Sequence, residues 1–117
     1  MAKKILVVDD EPDVREFLRS YLEDQGFETL EAEDGNVAMD KALKEVPDLI
    51  LLDLQMPEET GTGFYRKLHH KKELKDIPVI VISGLAGREV AVSKSVPVFE
   101  KPIEKEALLE SIQQILG

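Results

Sequence analysis

Five residues of this 117-residue sequence could do chemistry together: Asp9, Asp10, Asp53, Ser83 and Lys101. Asp9 and Asp10 follow the apolar run Ile5-Leu6-Val7-Val8, and Asp53 follows Leu49-Ile50-Leu51-Leu52. Ser83 follows Val79-Ile80-Val81-Ile82, and Lys101 lies just beyond Val96 to Phe99. Three carboxylates within about 4–6 Å of one another repel by about 4 kcal/mol per pair at an effective dielectric of about 20, so such a cluster needs cations. Lys101 supplies one positive charge and a divalent ion the rest. Oxygen-only donors without His or Cys point to Mg²⁺. In that setting a carboxylate is a nucleophile toward phosphorus and forms an aspartyl phosphate. The metal and Lys101 neutralise the phosphoryl oxygens, and the Ser83 hydroxyl donates to another. The added charge, about −1.5 to −2, makes the modification a switch.

Each residue alone also has a plainer reading. Asp-Asp occurs in turns, and Asp10 could cap a helix that starts at Pro12. Asp53 after a strand is a common turn residue, and Lys101 before Pro102 is an ordinary surface lysine. Position in a fold is what joins them. Apolar tetrads suit strands buried on both faces of a parallel sheet. Phe27 to Ala32 mixes polar and apolar residues and reads as a strand near an edge. Val96 to Phe99 contains Pro97, which cannot donate a ladder hydrogen bond, and belongs at the other edge.

Helical patterns separate these strands. Val14, Phe17, Leu18, Tyr21 and Leu22 form a stripe after Pro12, and Gly26 follows its end. Met39, Ala42, Leu43 and Val46 form a second stripe, stopped by Pro47. Phe64 and Leu68 mark a third helix, and Leu108, Leu109, Ile112, Ile115 and Leu116 mark the last. Leu85 to Ser95 fits no stripe well. It is loosened by Gly84 and Gly87, and is expected to be the most mobile segment and to carry the response to modification. The alternation predicts a (βα)₅ chain: an α/β, doubly wound, parallel five-stranded sheet with helices on both faces. Ligands of such sheets bind beyond the carboxyl ends of the strands, where the five residues converge.

Composition bounds the function. The length is one domain's worth, and the formal net charge is −9. An acidic surface repels nucleic acid and anionic lipid, so neither direct nucleic-acid binding nor membrane insertion is expected. The absence of cysteine excludes disulfides and thiolate metal sites, and no run of the sequence is long enough for a signal peptide or membrane span. A cytoplasmic location is the expectation. The basic stretch Arg66 to Lys75 reads as a solvated face. His69 and His70 within it point about 100° apart on a helix and do not chelate one ion together.

The sequence resembles the receiver domain of bacterial two-component response regulators over essentially all of residues 1–117. The resemblance rests on Ile5 to Glu11, on Pro47 to Pro57 with Gly61, on Val79 to Gly84, and on Lys101-Pro102. It implies a flavodoxin-like fold with strand order 2-1-3-4-5 and a single receiver domain that works alone or as part of a longer regulator. It also implies that Asp53 is the phosphoacceptor. Asp10, Asp53 and the backbone carbonyl of Gln55 would bind Mg²⁺ directly, with Asp9 acting through a water, while Ser83 and Lys101 would contact the phosphoryl group. Phe99 sits where the family places a switching aromatic, though an edge-strand core role fits it equally. The implied partners are a histidine kinase or histidine phosphotransfer protein and a downstream protein target. The implied protein catalyses its own phosphorylation and dephosphorylation without being a turnover enzyme.

Three departures from the family pattern stand out. Glu59-Thr60 replaces the usual apolar residue and aspartate, and Lys94-Ser95 replaces Gly-Ala. Ser83 and Lys101 are only 18 positions apart, which implies a shortened fourth helix. Two alternatives share parts of the pattern. A phosphatase with a nucleophilic aspartate would carry Asp-x-Asp on its first strand, whereas adjacent aspartates stand here. A flavodoxin-like binding module would need a glycine-rich, anion-accepting first turn, whereas this one is acidic.

Overall fold

Successive side chains of a strand point to opposite faces, so an unbroken apolar tetrad needs cover on both. The computed structural model, which describes residues 2–53, 61–83 and 96–117 apart from the side chains at 61, 62 and 83, supplies that cover. Its elements are β1 (Lys4–Val8), α1 (Pro12–Asp24), β2 (Glu28–Ala32), α2 (Gly35–Glu45), β3 (Leu49–Asp53), α3 (Gly61–His69), β4 (Val79–Ser83), β5 (Val98–Glu100) and α4 (Lys105–Leu116). The strands are all parallel, in the order β2-β1-β3-β4-β5. The fold is the flavodoxin-like one expected. The shortened fourth helix and the proposed mobile segment Leu85 to Ser95 lie outside the described residues, so α4 here denotes the C-terminal helix.

The tetrads divide their side chains between two cores. Leu6, Val8, Ile50, Leu52, Val79 and Val81 pack with Ala38 and Ala42 of α2 and with Phe64 and Leu68 of α3. Ile5, Val7, Leu49, Leu51, Ile80 and Ile82 pack on the other face with Leu18 and Leu22 of α1 and with Leu108 and Ile112 of α4. Below the sheet's first crossover, Asp48 locks β1 to the start of β3. Its carboxylate accepts from the Lys4 amide at 2.8 Å, and its own amide donates to the Lys4 carbonyl at 2.7 Å.

Three expectations about local structure change. Pro97 precedes β5 rather than lying inside it, because a residue without an N–H cannot continue the ladder. Its carbonyl still accepts from Val81 at 2.9 Å. Phe17 is 42% exposed and lies at the margin of the α1 stripe rather than in the core. In α2 the buried face is Gly35, Ala38 and Ala42, while Leu43 and Val46 are exposed. Small residues let that helix lie close to the sheet, which apolarity alone did not reveal.

Val46 ends α2 in the left-handed conformation, at φ 44° and ψ 74°. A β-branched residue there is strained by about 1–2 kcal/mol. Half of its side chain is in solvent, so little packing offsets the strain. Val46→Gly should therefore stabilise the domain by about 1 kcal/mol, the left-handed penalty exceeding glycine's entropy cost. Urea unfolding measures it: an unchanged or lowered midpoint refutes the strain.

Candidate active site

The carboxyl ends of β1 and β3 are neighbours in the sheet, and this alone brings Asp9, Asp10 and Asp53 together. Asp9 and Asp53 are 2% and 3% exposed, whereas Asp10 faces solvent. One carboxylate oxygen from each lies within 4.8 Å of the others. Ser83 ends β4, and its backbone is paired in register with Glu100, the residue before Lys101. The β3–β4 register sets Asp53 beside Ile82, one residue before Ser83. Gln55 lies outside the described residues.

Lys101 reaches back across the strand ends. Its Nζ is 2.8 Å from Glu11 Oε1, 3.1 Å from Asp9 Oδ2 and 3.7 Å from Asp53 Oδ2. Burial works against its charge, but the carboxylates of Glu11, Asp9 and Asp53 overcome this and hold its pKa above the ordinary lysine value. Asp9 shows the opposite balance. Burial raises its pKa, outweighing the Glu11 amide and Lys101, which both favour the charged form. The peptide bond between Lys101 and Pro102 is cis.

The plainer reading of the acidic pair does not describe it. Glu11, not Asp10, is the N-cap residue of α1, and its side chain makes no capping bond. Instead, Asp9 Oδ1 accepts from the Glu11 amide at 2.9 Å, which turns the chain sharply between strand and helix. The sequence placed Glu11 at this strand end without giving it a role, and Arg15 was not singled out. Glu11 makes the shortest of the Lys101 contacts. Arg15, one turn into α1, donates from Nη1 to the Asp9 carbonyl at 2.5 Å and from Nε to Glu31 of β2 at 2.8 Å. The available signal was an arginine three residues after the helix start, with an acid on the strand next to β1.

The donor set fits a small hard cation. All three groups are carboxylates, and the oxygens of one octahedral Mg²⁺ lie up to about 4.2 Å apart, close to the spread found here. Asp9 already serves the Glu11 amide and Lys101. Phe99 is half-buried and packs against the core beneath α1 and α4. His69 packs against Tyr65 with ring centroids 4.3 Å apart and planes tilted by 51°, and its Nδ1 lies 2.9 Å from the Tyr65 carbonyl, away from the site.

Comparison with known proteins agrees with this geometry. The family described as "Response regulator receiver domain" matches residues 5–113. The polar-differentiation response regulator DivK of Brucella ovis is 33% identical over 121 residues, covering 100% of this chain and 98% of DivK. The phosphate regulon transcriptional regulatory protein PhoB of Escherichia coli is 39% identical over 89 residues, which is 76% of this chain but only 39% of PhoB. The response regulator TrrA of Thermotoga maritima, solved in complex with Mg(2+)-BeF, superposes with a TM-score of 0.87. It is 33% identical, with 97% of this chain and 99% of TrrA covered.

Lys101 offsets carboxylates that are almost wholly out of water, so its loss should leave charge uncompensated. Lys101→Met is expected to lower stability near neutral pH by about 2 kcal/mol, less than for a fully buried pair because Lys101 keeps some solvent contact. The deficit should close as the pH falls and the carboxylates take up protons. It should begin to close above the ordinary aspartate value because the Asp9 pKa is raised. Urea midpoints of parent and variant between pH 7 and 3 test this, and a deficit that stays constant overturns it.

Proposed function

The chain belongs to the response regulator receiver domain family and is a phosphorelay receiver, and from that premise we propose that Asp53 is the residue that accepts the phosphoryl group. The observation that carries this is the placement of Asp53. It ends the central strand β3, is 3% exposed, stands within reach of two further carboxylates and has Lys101 3.7 Å away. A carboxylate oxygen of Asp53 attacks the phosphorus of a phosphohistidine, the P–N bond breaks, and the imidazole leaves carrying a proton from solvent. An acyl phosphate results.

Asp10 and Asp53 would hold Mg²⁺ directly, with Asp9 further out and the Gln55 carbonyl as an additional ligand. Mg²⁺, when bound, neutralises charge on the phosphoryl oxygens. The TrrA complex with Mg(2+)-BeF supports this choice of ion. Lys101 is placed to move from Glu11 to a phosphoryl oxygen, and the Ser83 hydroxyl would take another. Phe99 pairs with Ile82 beside Ser83, so a shift at Ser83 passes to it through the ladder, and we assign Ser83 and Phe99 to the switch. The whole of residues 1–117 acts as one receiver domain. It turns over its own acyl phosphate and no other substrate, and works in the cytoplasm on protein partners rather than on nucleic acid. Among the described residues no helix is long and apolar enough to cross a membrane.

The phosphodonor, a histidine kinase or histidine phosphotransfer protein, must bring its imidazole to this edge. Beside Lys101 lies a cavity of about 300 Å³ lined by Asp13, Val14, Phe17, Pro102 and Ile103, largely apolar and open to solvent. It is the natural seat for the donor, and Phe17 is its exposed wall.

Acetyl phosphate with Mg²⁺ should add one phosphoryl mass to the parent and none to Asp53→Asn, read by intact mass. Equal labelling of the variant removes Asp53 from the role. Phe17→Ser should label normally with acetyl phosphate yet accept more slowly from autophosphorylated histidine kinases tested as a panel. Unchanged transfer from every donor that serves the parent excludes the groove.

A further inference from the structure

The acidic loop is held from behind by a side chain that never reaches the reacting atoms. The Asp9 amide donates to the Ala32 carbonyl of β2 at 3.1 Å, and the Asp9 carbonyl accepts from Arg15 Nη1 at 2.5 Å. Both polar groups of the Asp9 backbone are therefore tied to β2, the first directly and the second through Arg15 and Glu31. Arg15 is 14% exposed and bonds Glu31 Oε1 at 2.8 Å. Glu31 is in turn bound by Arg19 Nη1 at 2.6 Å. These two arginines lower the Glu31 pKa, the Arg15 bond chiefly, so Glu31 is a firmly charged anchor.

The carbonyl that Arg15 holds belongs to the peptide unit joining Asp9 to Asp10. Its orientation sets where the Asp10 carboxylate starts, and it fixes the Asp9 carboxylate that accepts from the Glu11 amide. A guanidinium suits this role because its planar fork serves a carboxylate and a carbonyl at once while remaining charged. That charge also lies behind three clustered carboxylates.

We propose that Arg15 is a positioning residue for the metal-binding pair, holding the Asp9–Asp10 peptide in the orientation that Mg²⁺ requires, with Glu31 as its anchor. The proposal rests on the Mg²⁺ reading above, and its test separates the two. Arg15→Met, Arg15→Lys and Glu31→Gln are compared with the parent by Mg²⁺ calorimetry, by amide exchange without metal, and by urea unfolding. Arg15→Met should weaken Mg²⁺ by about tenfold, as losing the support behind a metal ligand commonly does. It should also speed exchange of the Glu11 amide by about tenfold in metal-free protein, since the loop opens more readily. Arg15→Lys keeps the charge and a donor group without the planar fork and should recover part of the affinity. Glu31→Gln loses the anchor's charge but keeps the Arg15–Asp9 bond, so it should affect Mg²⁺ less than Arg15→Met even where both lose stability. Mg²⁺ affinity and Glu11 exchange in Arg15→Met within about twofold of the parent overturn the role. Losses that merely follow the urea midpoint across all three variants overturn it too. Should the parent itself not bind Mg²⁺, the metal reading fails, and the exchange arm still decides whether Arg15 holds the loop.

Discussion

Parallel strands deliver their carboxyl ends to one edge, and here that edge receives carboxylates from two adjacent strands. Like charges this close, and this far from water, are stable only with a positive partner at the same place. Lys101 is that partner. It enters from β5, two strands away from Asp53 in the sheet, and it reaches Asp9, Glu11 and Asp53 together. The five-stranded order is what allows one ammonium to span them, so the charge balance of the site depends on the topology of the whole sheet.

Two further groups of ion pairs tie helices to strands. Arg15, Arg19, Glu23 and Glu31 tie α1 to β2 behind the acidic loop. At the opposite end of the strands, Lys4 pairs with Glu45 at 3.0 Å while its amide bonds Asp48. The second group is about register and the first about the site. Glu11 bridges the two concerns, being at once the start of α1 and the nearest anion to Lys101.

Much of this was legible in the residues themselves. The tetrads ending at Val8, Leu52 and Ile82 announced doubly covered strands, and the carboxylates after the first two could be assigned to one edge once the sheet was parallel. What escaped was set by shape or by side-chain reach. The buried face of α2 is built from Ala42, which the stripe included, and from Gly35 and Ala38, which a search for large apolar residues passes over. Phe17 fits the helical period yet stands at the rim of a cavity, because period fixes a direction and not a depth. Arg15 was not singled out, since its partners lie in a loop before it and on a strand 16 residues later. Phe99 was read equally as switch or core residue, and its packing beneath α1 and α4 describes where it rests.

β5 has three residues and a neighbour on one side, whereas β3 is clamped between β1 and β4 along its length. In mechanical terms Asp53 is mounted on a beam supported from both sides, and Lys101 on the end of a short cantilever. A load applied between them would be shared unequally, with more of the displacement falling on the lysine's mount. The sheet thus pairs a mount braced on both sides with one braced on a single side, at the same edge.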